Sequence, residues 1–179
     1  METIERADGG LTMDGSGSAP PAGAGGAEAP AAPPTYEGVW RFTVPAVEES
    51  VPQTRRTVRE LLGRQGVPDR RDLVYALLLI VSELVTNSVR HAALLSPEVA
   101  VEIAIGRAWV RVAVEDDHPY RPKALELEAD SGRTGGRGLL LVRETTRESG
   151  GICDVERTST GGKVVWAALP FTPPPGGPE

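Results

Sequence analysis

Cysteine is nearly missing from this 179-residue chain: Cys153 stands alone. A single thiol excludes an intramolecular disulfide and any metal site built from several thiolates. Its residue type reads as a small buried apolar side chain rather than a reactive group. Basic excess is missing too, the formal charge being −6. Binding nucleic acid through bulk phosphate neutralisation needs clustered Lys and Arg and is not expected here. No apolar run reaches the roughly 18 residues that suggest a membrane span. The N-terminal stretch lacks a basic start followed by an apolar core, so no signal peptide is expected. Nor does any segment repeat. These absences together predict a soluble cytoplasmic protein, without direct nucleic-acid or membrane partners.

Large apolar residues are scarce from Met1 to Thr35, a stretch dominated by Gly, Ala, Pro and Ser. Such a composition cannot offset the entropy of ordering, so 1–35 is expected to be a disordered tail. The PPPGGPE ending predicts the same for 172–179. Between them, 36–171 is long enough for one hydrophobic core.

Inside that span the apolar period changes several times. Trp40 to Val44 alternates as a strand does. Ser50 and Gln53 have the spacing of a capping box, and Pro52 falls in a first helical turn, where its missing N–H costs little. Val51, Val58, Leu61 and Leu62 then give an apolar stripe closed by Gly63 and Gly66. A second helix is predicted from near Asp69, with Leu73, Leu77, Ile80, Val81, Leu84 and Val85 at helical spacing and fraying from Ala93 to Pro97. Val99–Ile105 and Trp109–Val114 alternate on either side of Gly106 and Arg107, as an antiparallel hairpin would. A polar stretch, Asp116 to Gly135, precedes a third helix beginning at Gly138. Two more strands, Ile152–Glu156 and Val164–Leu169, follow. This order predicts an α+β two-layer sandwich, with helices on one face of a mostly antiparallel mixed sheet. It differs from the strand–helix alternation of a doubly wound fold.

Three stretches carry chemistry. In LLLIVSELVTNSVRHA, Glu83 and Asn87 lie four apart and share one face of an otherwise dry helix. Either they face water, or they line a cleft, since burying them without partners would cost a few kcal/mol. A carboxylate can orient a water or take a proton from a hydroxyl. An amide oxygen is a hard ligand suited to Mg²⁺, which binds through few protein oxygens and substrate phosphates. In SGRTGGRGLLLVRE, glycines precede a helix whose first N–H groups would face an anion, with Arg133 and Arg137 adjacent. The other reading of this stretch is a flexible linker before a helix. In VEDDHPYRP, Asp116 sits where a strand leaves the sheet. It could accept a hydrogen bond from a base amino group or simply form an Asx turn. Asp117 reads as a solvated neighbour and His118 as an exposed loop residue.

Taken together these stretches resemble the GHKL superfamily of gyrase-type ATPases, heat-shock chaperone ATPases and histidine kinases. SELVTNSVRHA is similar to the family's N box, EDDHP to its first glycine box and GGRGLLLV to its second. GGKVVW resembles the closing strand, and the likeness spans Tyr36 to Leu169. In size and spacing the chain most resembles the anti-sigma-factor serine/threonine kinases of bacterial partner-switching systems. The resemblance implies a Bergerat-type ATP-binding fold and the cofactors ATP and Mg²⁺. Glu83 would be the catalytic base and Asn87 the Mg²⁺ ligand. Asp116 would recognise the adenine amino group. Arg90, Arg133, Gly136, Arg137, Gly138 and Leu139 would complete the cofactor site, with 119–135 as a short lid.

The implied function is an Mg²⁺·ATP-dependent kinase that sequesters a sigma factor and phosphorylates an anti-anti-sigma antagonist, as a possible homodimer. The competing expectations are a non-catalytic ATP-binding module that only sequesters its partner, and a plain α+β interaction domain. Two positions depart from the family pattern. His118 stands where a glycine is usual, and Lys163 where a threonine is common. A sensor histidine kinase is not expected, because one of the two histidines, His91, lies inside the N box itself.

Overall fold

A computed structural model describes residues 5–6, 36–92, 95–119 and 137–172. Strand β2 (Tyr36–Pro45) turns Phe42 and Val44 inward and leaves Arg41 and Thr43 exposed, the period-two pattern of a half-buried strand. Strands β3 (Glu98–Gly106) and β4 (Trp109–Asp116) form the expected hairpin, pairing Ala100 with Glu115 through to Ile105 with Val110. Strands β5 (Ile152–Arg157) and β6 (Lys163–Pro170) form a second hairpin, and β6 inserts beside β4. With β1 (Glu5–Arg6) the sheet order is β1-β2-β3-β4-β6-β5. All five described pairings are antiparallel, so the mixed component expected of the sheet is not found among the described residues. The short β1 falls in the segment read as a disordered tail; nothing in its local sequence signals a strand. The rest of 1–35, and 173–179, lie outside the described residues.

Helix α1 (Ser50–Arg64) starts where predicted, but not by the predicted device. Its N-cap is Glu49, without a side-chain cap bond. The Ser50 hydroxyl instead donates to the Pro45 carbonyl at 2.7 Å, tying the helix to the end of β2. The capping box is therefore not formed, because Ser50 is already the first helical residue. At the other end Gly66 takes φ 67°, Val67 N–H reaches Leu62 and Gly66 N–H reaches Gly63. This is a Schellman ending, which needs a residue without a Cβ penalty at positive φ.

Helix α2 (Arg71–Ala92) is the centre of the helical layer. It touches α1, α3 (Arg137–Glu148) and strands β3, β4 and β6. Leu77, Ile80, Val81 and Val85 are fully buried in it, each worth about 1.5–3 kcal/mol of removal from water. They pack over Val99, Val101 and Ile103 of β3 and Val110, Val112 and Val114 of β4 in one continuous core. By length and composition α2 could cross a bilayer. In this fold its apolar side is spent on the sheet.

The outer face of the sheet carries polar groups and aromatics. Arg111 lies 5.0 Å from the Trp166 ring centre and pairs with Glu102 at 2.9 Å, while the Trp166 indole donates to Glu156 at 2.6 Å. This layer covers the small residues Ala104, Ala113 and Ala168. The architecture is thus a two-layer α+β sandwich with all three described helices on one face.

Candidate functional site

The C-terminal half of α2 holds the site because its helical phase divides two residue classes. Leu84, Val85, Ser88 and Val89 point into the core, while Glu83 and Asn87 lie half-buried along its border. A Cβ on Gly138, the second residue of α3, would stand 2.6 Å from Glu83 Oε2. The carboxylate therefore rests against the first turn of α3, where unpaired backbone N–H groups favour negative charge. Only glycine leaves it that place. Asn87 lies one turn further along the same face of α2. Neither Glu83 nor Asn87 has a hydrogen-bond partner among the described residues.

At the other end of the site Asp116 closes β4 with its side chain almost fully buried. Three donors hold it. Ser88 Oγ donates to Oδ2 at 2.6 Å, Lys163 Nζ to Oδ1 at 2.8 Å, and its own loop's His118 N–H to Oδ1 at 3.0 Å. The last bond is an Asx turn, so the turn forms with His118 in the place where a glycine is usual. Lys163 is only 4% exposed along its side chain and sits directly across from Asp116 in the β4–β6 ladder. Gly162, beside it, allows the β5–β6 turn to lie against the backbone of Asp116 and Asp117, which a Cβ would strike. Asp117 is not merely solvated. Its N–H donates to Ser96 Oγ at 3.0 Å, and that hydroxyl donates back to its carboxylate at 3.0 Å.

Two residues in this arrangement carry little mark of a site in the sequence. Ser88 follows Asn87 in sequence, and its signal is phase: it falls in line with Val81, Leu84 and Val85, a hydroxyl on the dry side. Lys163 stands out in the sequence only as a departure from the family pattern. Yet the alternation Lys163, Val165, Ala167, Leu169 places its ammonium on the helix-covered face.

The other expected site residues divide. Arg90 and His91 are exposed on the last turn of α2, and Arg137 is exposed at the start of α3. Leu139 buries its side chain in the core, so what it offers a ligand is its backbone N–H, in the first turn of α3. Arg133 and Gly136, with the expected lid residues from 120 on, lie outside the described residues. Cys153 is half-buried, and burial raises its thiol above the usual range, in keeping with a packing role. A depression of about 410 Å³ lined by Glu37, Gly38, Trp40, Gln65 and Ile105 involves none of the site residues.

The donor set suits a nucleotide with a hard cation. Among the described residues no cluster of three or more His, Cys, Asp or Glu could cage a metal. An ion held by one amide and by phosphates needs no such cluster. Asn87 could supply such an amide, and the glycine at 138 leaves room for the Glu83 carboxylate. Asp116 supplies a buried carboxylate with acceptor capacity still free.

Sequence comparison matches residues 44–169 to the family described as the histidine kinase-like ATPase domain. No curated protein matches the chain. Among solved structures, the chain is similar to the histidine kinase domain from the Erythrobacter litoralis EL346 blue-light activated histidine kinase, at 23% identity and a TM-score of 0.42. That likeness covers 72% of this chain and 62% of the other, so this chain spans less than two thirds of the histidine kinase domain it matches.

Proposed function

The chain belongs to the histidine kinase-like ATPase domain family, whose members generally bind ATP and Mg²⁺, and from that premise we propose that it is an Mg²⁺·ATP-dependent serine/threonine protein kinase. In this reading it acts as an anti-sigma factor in the cytoplasm, as a homodimer, and phosphorylates an anti-anti-sigma partner. The observation that carries the reading is the Glu83 carboxylate set against the start of α3, with Asn87 one turn away. A base and a cation ligand then share one edge of α2.

Asn87, with the phosphates of ATP, would hold Mg²⁺. Bound there, the ion supplies charge neutralisation for the phosphate chain, the main demand of phosphoryl transfer. The chain's own residues do the rest. The first turn of α3 presents N–H groups to the phosphates, with Arg137 beside them. Glu83 takes the proton of a partner's serine hydroxyl as its oxygen bonds to the γ-phosphorus. The bond from that phosphorus to the bridging oxygen breaks, and ADP leaves with the electron pair.

The test has two parts. Calorimetric titration with ATP, with and without Mg²⁺, is expected to show metal-dependent binding that weakens about 10- to 100-fold in Asn87→Ala, the loss of one contact to a charged group. Transfer of γ-labelled phosphate to serine on a candidate antagonist is expected from the wild type. Binding without transfer to any antagonist would favour the non-catalytic sequestering module. No binding at millimolar ATP would overturn the reading.

A further inference from the structure

Lys163 is a buried ammonium that the fold itself uses little. It carries three N–H donors. One is used, on Asp116 Oδ1 at 2.8 Å, and Asp116 is its only partner among the described residues. Two donors of a charged group are thus left in a nearly dry place, an arrangement that costs stability unless something accepts from them. A carboxylate, in turn, accepts about four hydrogen bonds. Asp116 already receives three: two on Oδ1, from Lys163 and His118, and one on Oδ2, from Ser88. What remains is one acceptor position on Oδ2 and, beside it, donors on Lys163.

We propose that Lys163 is a specificity-determining residue of the base pocket, its ammonium donating directly to ring nitrogen N1 of adenine while Asp116 Oδ2 accepts from the exocyclic amino group. The inference rests on the ATP reading above and deepens it. Adenine presents one donor and one acceptor side by side on this edge, and the pair Asp116–Lys163 presents the complementary set. Guanine presents two adjacent donors and a carbonyl. If the carbonyl met Lys163, two N–H groups would compete for the single position left on Asp116. If the edge were read in the adenine sense, donor would face donor. Lys163 therefore both reads N1 and, by filling Oδ1, denies the carboxylate a second acceptor position.

The test pairs a change in the base with a change in the protein. Dissociation constants are measured calorimetrically for Mg²⁺·ATP and for 1-deaza-ATP, which has carbon at that ring position. This is done on the wild type, Lys163→Met and Lys163→Gln. The wild type is expected to prefer ATP by about 10- to 100-fold, the value of one hydrogen bond from a charged donor. In Lys163→Met the two ligands should bind alike, and Lys163→Gln, which keeps a donor, should recover part of the preference. A residue that only props up the fold would weaken both ligands equally and leave their ratio unchanged. Equal binding by the wild type, or an undiminished ratio in Lys163→Met, would overturn the proposal while ATP binding stood. If Lys163→Met does not fold, the wild-type ratio and Lys163→Gln decide. Failure of the wild type to bind ATP would overturn the reading on which it rests.

Discussion

The two ends of the site are built on opposite principles. At the Asp116 end every described polar group is tied to another: Ser88 from α2, Lys163 from β6 and the His118 N–H from the loop all converge on one carboxylate. At the Glu83 end two polar side chains lie half-buried on α2 with no bond to any described residue, and the Glu83 carboxylate occupies the space that a Cβ at position 138 would fill. The first end is preorganised by hydrogen bonds. The second is an opening that, in the proposed reading, the nucleotide and its cation would complete. A recognition site gains from fixed acceptors, because an unmatched ligand then leaves polar groups unpaired. A phosphoryl-transfer site must let its base and cation ligand engage groups that arrive with the substrate.

That contrast can be broken, and its largest expected consequence lies at the open end. Glu83→Gln is expected to keep ATP binding within a few fold while lowering phosphoryl transfer by about 10²- to 10⁴-fold, the usual worth of a general base. Equal losses in binding and transfer would show that the carboxylate works as a ligand instead. Thermal or denaturant unfolding of the variant should stay close to wild type, because no hydrogen bond is removed.

At the tied end the expected effect is on stability. Asp116→Ala leaves the Lys163 ammonium buried without its partner and should cost about 3–5 kcal/mol in denaturant unfolding. Adding Lys163→Met to that variant removes the stranded charge and should return much of the loss. A double variant no better than Asp116→Ala would mean that the pair is not coupled, and the contrast between the ends would weaken.

Gly138→Ala sharpens the comparison with a smaller change. Alanine suits the start of a helix and lowers the entropy of the unfolded chain, so unfolding should move by no more than about 1 kcal/mol, in the stabilising direction. Its Cβ would nevertheless displace the Glu83 carboxylate, a flexible end that can swing aside. Transfer should fall while stability holds, the reverse of the Asp116 result.

The smallest effect lies away from both ends. Burial is the main cause that pushes the Tyr36 phenol up to about 12 from its ordinary 10, with Arg111 opposing and Glu102 adding to the rise. A raised folded-state value means the neutral form favours folding. The contribution is complete below pH 10 and is lost as pH climbs through about 12. Tyr36→Phe should flatten that part of the stability–pH curve without altering nucleotide binding.

Much of this was legible beforehand, and the reasons are specific. Helix α2 announced itself through Leu73, Leu77, Ile80, Val81, Leu84 and Val85, because one dry face at helical spacing has few other uses. The four strands of the two hairpins were readable because period-two alternation flanked glycine turns. Less was readable where a residue's partner is distant in the chain. The Ser50 cap failed because the hydroxyl found Pro45, five residues back, rather than the helix N–H. Strand β1 has no local signal at all.

Local periodicity by itself thus determined which segments are helices and strands, which faces are dry, and that Glu83 and Asn87 interrupt one of them. These follow from contacts within a few residues and from the cost of burying polar groups. Only the tertiary structure decided that Ser88, Asp116 and Lys163, drawn from α2, β4 and β6, form a single buried cluster, and that Gly138 faces Glu83. The physical reason is that a hydrogen bond between residues 47 apart leaves no mark on either neighbourhood; sheet register and helix packing have to bring its two ends together.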